Sequence, residues 1–302
     1  MSTSRRKFIS AATVAAVAHP CVRAEEKLFS IGLIADAQYV DAKPAGIRHY
    51  RNSIQKLRNA VNSINKSQVD FSIHLGDLID REFKSFDAIL APLSKLESPV
   101  YQILGNHDFD VADEQKENVM GKMSMKTSYS SFSKNGFRFV FLDGTEISTF
   151  AQPKDSQEHA AAMQVLKEMK DQGRKNAKPW NAAIGPQQLD WLREQLKGAA
   201  TASEKVILSC HYPILPDNSH NLWNDREVLS LLDEFPGTVA AWFNGHNHAG
   251  NYAERNGVHF VTVQGMVDTP NQNAFGVMDV FPGTLKIRGS GRVPDRILEI
   301  AH

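Results

Sequence analysis

Cysteine is almost absent from this chain of 302 residues, which carries only Cys21 and Cys210. Two thiols cannot build a disulfide framework or a thiolate zinc site, so any bound metal must be held by oxygen and imidazole. Net charge is absent as well, with 34 Lys and Arg against 34 Asp and Glu. No broad basic face can be assembled for a phosphate backbone, and nucleic acid is excluded as an expected partner. Long hydrophobic runs are missing too. The nearest approach, Phe8 to Ala18, is 11 residues, well short of the roughly 20 that span a bilayer. No Pro/Gly/Ser-rich linker divides the chain. A content of 42% hydrophobic and 23% charged residues is that of a folded globular domain.

What is present begins with an address. Arg5 and Arg6 precede the apolar stretch, and Val22-Arg23-Ala24 offers a small-residue cleavage site. This order of charge, apolar segment and small residues resembles a twin-arginine export signal over residues 1–24. The resemblance implies twin-arginine export machinery as a partner and a periplasmic or extracellular destination. It also implies a mature domain over 25–302 with no stable membrane insertion. That mature chain would keep Cys210 alone and could form no internal disulfide.

Eight short β-branched or aromatic runs read as strands: 28–35, 69–75, 100–104, 137–142, 205–210, 239–243, 258–263 and 275–281. Helical periodicity fills 47–66, 86–96, 186–196 and 225–232. Such alternation predicts an α/β core with buried strands, and the close spacing of the last strands predicts hairpins near the C-terminus. Residues 151–184 are polar, helix-prone over 158–169 and then rich in Lys, Asn and Pro. They read either as an insertion or lid, or as a passive surface helix.

Five of these strands run into residues of the metal-binding kind. Asp36 and Gln38 follow the first, Asp77 the second, and Asn106 and His107 the third; His211 follows Cys210, and His246 and His248 stand in Gly245-His246-Asn247-His248. In an open α/β sheet, side chains at strand carboxyl ends converge on one crevice. Gly76, Gly105 and Gly245 stand just before these groups, where a turn must bend sharply. Each motif alone is weak, but the ordered set is specific.

In order, D-x-Q, G-D-x-x-D, G-N-H-D, a lone His and G-H-x-H resemble the calcineurin-like metallophosphoesterase superfamily. Gln38 in place of the usual histidine, His246 to Tyr252 (H-N-H-A-G-N-Y) after Gly245, and the C-terminal G-S-G-R-V-P-D-R of Gly289 to Arg296 narrow the likeness. These features are similar to the manganese-dependent ADP-ribose/CDP-alcohol diphosphatases, from about Phe29 to Ile297. The resemblance implies a four-layer α/β/β/α sandwich of mixed sheets, with the site at strand C-terminal ends. It also implies two divalent ions bridged by Asp77. Asp36, Gln38 and His248 would surround the first, and Asn106, His211 and His246 the second. A donor set of carboxylate, amide oxygen and imidazole suits Mn²⁺, with Mg²⁺ or iron fitting less clearly. His107 would face the substrate, and metal-bound hydroxide would attack one phosphorus of a nucleotide diphosphate such as ADP-ribose or a CDP-alcohol.

Other residues carry two readings. Asp80 or Asp108 could orient His107 or a ligand histidine from behind. Arg48, His49 and Tyr50 could stack on a base or hold phosphate, or form a packed face beside a solvated one. Arg292 and Arg296, with Asp295, could tie the C-terminal segment to the cleft and assist phosphate binding, or form a surface ion-pair network. His74, inside an apolar strand, reads as a satisfied core histidine. A metallophosphodiesterase or phosphomonoesterase of other specificity, and a non-catalytic nucleotide binder, are the competing functions.

Overall fold

Residues 26–301 are described by a computed structural model; the expected export signal over 1–24 lies outside them. Two six-stranded sheets form the body. The first runs β12-β11-β10-β1-β2-β3, with β1 Phe29–Ile34, β2 Phe71–His74, β3 Val100–Gln102, β10 Ala274–Val280, β11 Thr284–Gly291 and β12 Arg296–Glu299. The second runs β4-β5-β6-β7-β9-β8, with β4 Ser130–Lys134, β5 Phe137–Phe141, β6 Lys205–Ser209, β7 Val239–Asn244, β8 Asn251–Arg255 and β9 Val258–Thr262. Strands β1, β2 and β3 are parallel, as are β5, β6, β7 and β9; the remaining pairings are antiparallel.

Strand periodicity explains the layering. In β5, Phe137, Phe139 and Phe141 point between the sheets, whereas Val140 points to the outer face. In β1, Ile31 and Leu33 face inward and Ile34 outward. Strands buried on both faces need helices outside them. Helices α1 (Ser53–Lys66) and α2 (Ser85–Leu93) cover the first sheet, packing Leu57, Ile64, Ile89 and Leu93 around Ile34 and Val277. The short α3 (Val119–Lys122) adds Val119 to that cluster. Helices α5 (Pro186–Thr201) and α6 (Asp225–Asp233) cover the second, with Leu192, Leu196 and Val228 against Leu208 and Trp242. The result is the four-layer α/β/β/α arrangement.

All eight apolar runs form strands, but β4, β8, β11 and β12 were not expected. Their sequences mix Ser, Lys, Arg and Glu among apolar residues and are partly exposed, so they lack a buried run. The helix expected from Ile47 starts late. Arg48 bridges Ala45 and Asp268 in extended fashion, Tyr50–Asn52 is a 3-10 turn, and α1 begins at Ser53. Segment 151–184 carries α4 (Gln157–Asp171), whose Ala162, Leu166 and Met169 pack with Ala177, Ala183 and Trp223.

Candidate metal centre and active site

The carboxyl ends of the parallel strands from both sheets open on one crevice. After β1 the chain passes through left-handed backbone at Asp36 (φ 50°) and Gln38 (φ 42°); Asp77 after β2 (φ 57°) and His246 after β7 (φ 66°) do the same. Non-glycine residues in this region cost of order 1–3 kcal/mol each and persist only where the surroundings over-determine them. Here the determinants are visible. Asp36 N–H donates to Gly76 O at 3.2 Å and Gln38 N–H to Asp77 O at 2.9 Å. The amide of His246 donates to Asp36 Oδ1 at 3.1 Å, joining the two sheets across the crevice. Glycine is required beside them. At Gly76 (φ 95°) a Cβ would lie 2.5 Å from His211 Nδ1, and at Gly105 it would fall on Asp77 Oδ1.

Asp77 is the hub. Its Oδ2 accepts from Gln38 Nε2 at 2.8 Å and lies 3.3 Å from His211 Nε2, while its Oδ1 accepts the His107 amide at 2.8 Å. Asp77, His211 and His246 each offer a ligand atom within 4.8 Å of the others. His248 Nε2 stands 3.6 Å from Asp36 Oδ1 and 3.1 Å from Gln38 Nε2. Asn106, preceding His107, is 9% exposed. Six of the seven residues expected as ligands are thus joined by these contacts, and Asn106 adjoins them through His107, whose amide Asp77 holds.

His211, His246 and His248 are each held from behind, which fixes the ring. His211 Nδ1 meets Leu75 O at 2.7 Å, His248 Nδ1 meets Asp268 Oδ1 at 2.9 Å, and His246 Nε2 meets Asn181 Oδ1 at 2.8 Å. Burial works to push the Asp77 carboxyl up, but His211 and His107 outweigh it and hold it well below the ordinary carboxylate range. Burial works to lower His211, and Asp77 reverses this, raising it to about 9.

Buried polar atoms without partners test whether a cation fits. Gln38 Oε1, Asn106 Oδ1 and His211 Nε2 are all buried and unpartnered, although such atoms are normally satisfied. The first two are neutral oxygens and the third an imidazole nitrogen, donors that a divalent ion of the manganese kind takes alongside Asp36 and Asp77. The residues fit the ions.

His107 sits at the rim with its side chain 20% exposed. Its Nδ1 lies 3.1 Å from Asp80 O and 3.4 Å from Asp80 Oδ1, and its Nε2 lies 3.4 Å from Arg48 Nη1. Asp80 is pushed up by burial, against the pull of His107, Arg81 and Arg48. Asp108, unlike Asp80, touches no histidine in these contacts. Its carboxylate accepts from the amides of Gly105 (2.9 Å), Asp77 (3.1 Å) and Leu78 (2.8 Å), bracing the turn that carries Asp77. Burial and the charge of Asp77 push it up to about 7.

The other sequence candidates separate. Arg48 reaches the site. His49 joins the wall through its backbone, its amide donating to Val267 O at 2.9 Å. Tyr50 is 4% exposed, packed with Val40 and Val267 beneath Arg81, so it is a packing residue and not a platform for a base. Arg292 donates to Asp268 Oδ2 (3.2 Å) and His248 O (2.9 Å), tying the C-terminal segment to the cleft. Arg296 leaves the site and stacks over Tyr252 at 4.8 Å. His74 is fully buried, but both ring nitrogens lack partners, so it is not the satisfied histidine expected; burial lowers it to about 3.

Sequence reasoning missed Asp268, Asn181 and His220, whose ring lies 5.5 Å from that of His246. Asp268 follows β9, where the strand-end rule could have found it. Asn181 carries no comparable signal. Beside Asn106 and His107 opens a cleft of about 550 Å³, lined by Phe109, Phe150, Lys154 and Trp180.

Residues 29–250 match the model of the calcineurin-like phosphoesterases. The chain belongs to this family. It is a metallophosphoesterase, a hydrolase of phosphoester bonds that works with two divalent metal ions. A Homo sapiens protein named manganese-dependent ADP-ribose/CDP-alcohol diphosphatase is 30% identical to it, over 90% of this chain and 93% of its own. An Oryza sativa subsp. japonica protein of the same name is 32% identical, over 89% and 94%. The metallophosphoesterase fold is shared with a crystal structure of a dimetal phosphatase from Danio rerio, at a TM-score of 0.83 and 25% identity, covering 91% of this chain and 100% of the other.

Proposed function

We propose that this metallophosphoesterase is a manganese-dependent diphosphatase that splits nucleoside diphosphate-linked small molecules such as ADP-ribose or CDP-alcohols into a nucleoside monophosphate and a second phosphate ester. The observation that carries the reading is a likeness over about nine-tenths of the chain to diphosphatases of that name.

Asp77 with Asp36, Gln38 and His248 would hold one ion, and with Asn106, His211 and His246 the other. Such a pair polarises phosphoryl oxygens and makes a nucleophile available from water near neutral pH. Asp80 aims the His107 ring, leaving Nε2 and the Arg48 guanidinium toward the cleft. There Arg48 can donate to phosphoryl oxygens, which carry more charge as the bridging P–O bond breaks, and His107 can do so through Nε2 in its imidazolium form. Trp180, 44% exposed, and Phe150 give the cleft an aromatic wall suited to a base. Export through a twin-arginine signal is part of the proposal and rests on Arg5, Arg6 and the apolar segment after them.

The experiment follows hydrolysis of ADP-ribose and CDP-choline by metal-stripped protein after adding Mn²⁺ or Mg²⁺. Manganese-dependent release of AMP and CMP, abolished in Asp77→Ala, supports the reading. Cleavage of an aryl phosphodiester but of neither diphosphate leaves a phosphodiesterase, and no hydrolysis at all leaves a nucleotide binder. Cell fractionation of wild type against Arg5→Lys/Arg6→Lys tests export, with retention in the cytoplasm expected for the variant.

A further inference from the structure

We infer that Asn181, which lies in the polar segment 151–184 and outside every metal-binding motif of the chain, is a positioning residue that sets the tautomer of His246 and so completes the second metal site.

The argument is one of forced donors. Asn181 is fully buried. Its Nδ2 donates to Asn176 O at 3.0 Å and to Ser219 O at 2.8 Å. Backbone carbonyls only accept, so the amide nitrogen must face them and Oδ1 must face the other way. That oxygen lies 2.8 Å from His246 Nε2. An amide oxygen also only accepts, so Nε2 carries the proton and Nδ1 keeps its lone pair for an ion. Without this acceptor the neutral ring could place its proton on either nitrogen, and the Nδ1–H form cannot ligate through Nδ1.

The segment that supplies Asn181 is fastened on several sides. Ile147 and Ala183 exchange backbone hydrogen bonds of 2.9 and 3.0 Å, Trp223 N–H donates to Ala182 O at 2.7 Å, and Arg174 pairs with Asp225 at 2.8 Å. Rigid supports of this kind are what hold a ligand to productive geometry. Residue 181 therefore gives the 151–184 segment a task at the metal centre. The inference rests on the two-ion reading above and adds a residue to it.

Two measurements test it, neither of them an activity. In the first, metal-stripped wild type and Asn181→Ala are titrated with Mn²⁺ by calorimetry and followed by electron paramagnetic resonance. Wild type is expected to take two ions and develop an exchange-coupled signal. The variant is expected to keep one affinity and lose about 10- to 100-fold in the other, giving an uncoupled Mn²⁺ signal where wild type is coupled. In the second, long-range ¹H–¹⁵N correlation of the metal-free wild-type histidines is expected to show His246 protonated at Nε2. An Nδ1–H tautomer overturns the inference, as does a folded Asn181→Ala that binds both ions with wild-type affinity. Should the variant fail to fold, the tautomer decides alone. A wild type that binds no pair of ions overturns the metal-centre reading and this inference with it.

Discussion

Asp80 decides what His107 can do. With its Oδ1 3.4 Å from Nδ1 and its own carbonyl at 3.1 Å, the ring cannot rotate away from the cleft without losing a buried charged partner. His107→Ala is therefore expected to lower kcat by about 10²–10⁴-fold, the usual contribution of a positioned acid or base, with Mn²⁺ affinity unchanged. Asp80→Asn should give a smaller loss of kcat with KM little altered. Steady-state kinetics and a metal titration on each variant check both. Trp180 acts on binding instead. Base–aromatic stacking is worth about 1–3 kcal/mol on removal, so Trp180→Ala should raise KM for ADP-ribose and CDP-choline about tenfold or more. Turnover of an alkyl phosphodiester, which has no aromatic ring to stack, should not change. At Cys210 the thiol is fully buried and pushed up to about 12 by burial. Iodoacetamide is expected to label it only after denaturation, as mass spectrometry would show.

At the scale of elements, alternation along the strands ties stability and function together. Phe139 in the middle of β5 is fully buried between the sheets and meets Phe71 edge to face at 5.0 Å. Phe139→Ala should cost about 3–5 kcal/mol, read as a lower urea midpoint, while metal stoichiometry in the folded fraction stays at two. The loops at the other end of the strands have the opposite character. Their turns store left-handed backbone at Asp36, Gln38, Asp77 and His246, and they are held by one another rather than by the core. The strands were legible because burial on both faces makes them short unbroken apolar runs. Strands β4, β8, β11 and β12 were not, because their pairing depends on neighbours already in place. Tyr50 misled for a related reason: a Tyr beside Arg and His gives no sign of which face of the turn will be covered, and here Val40 and Val267 cover it.

At the scale of the whole molecule, the proposed metal centre is a clasp between two sheets. Asp36, Gln38, Asp77 and Asn106 come from the first, and His211, His246 and His248 from the second. Ions bound across such a boundary stabilise the folded state by mass action, by about 2.7 kcal/mol at one hundred times Kd for a single site. Chelation is accordingly expected to lower the melting temperature by several degrees, and Mn²⁺ to restore it in proportion to the logarithm of its concentration. A melting temperature indifferent to chelation of a metal-loaded sample would count against ions spanning the sheets. No helix among the described residues is long and apolar enough to cross a membrane.

The sequence by itself determined the donor set, because carboxylate, amide and imidazole chemistry is a property of side chains and their order follows the strands that carry them. It also determined the layered α/β class, through the period of its apolar residues. Tertiary structure alone decided which groups stand behind the ligands. Asp268 behind His248, Asn181 behind His246 and Leu75 O behind His211 come from separate parts of the chain, and no local pattern links a brace to the ring it holds. The same is true of Asp108, which became the support of a turn rather than of a histidine. Hydrogen bonds of this kind depend on where two backbones pass within about 3 Å of one another, and that distance is set only when both sheets have closed.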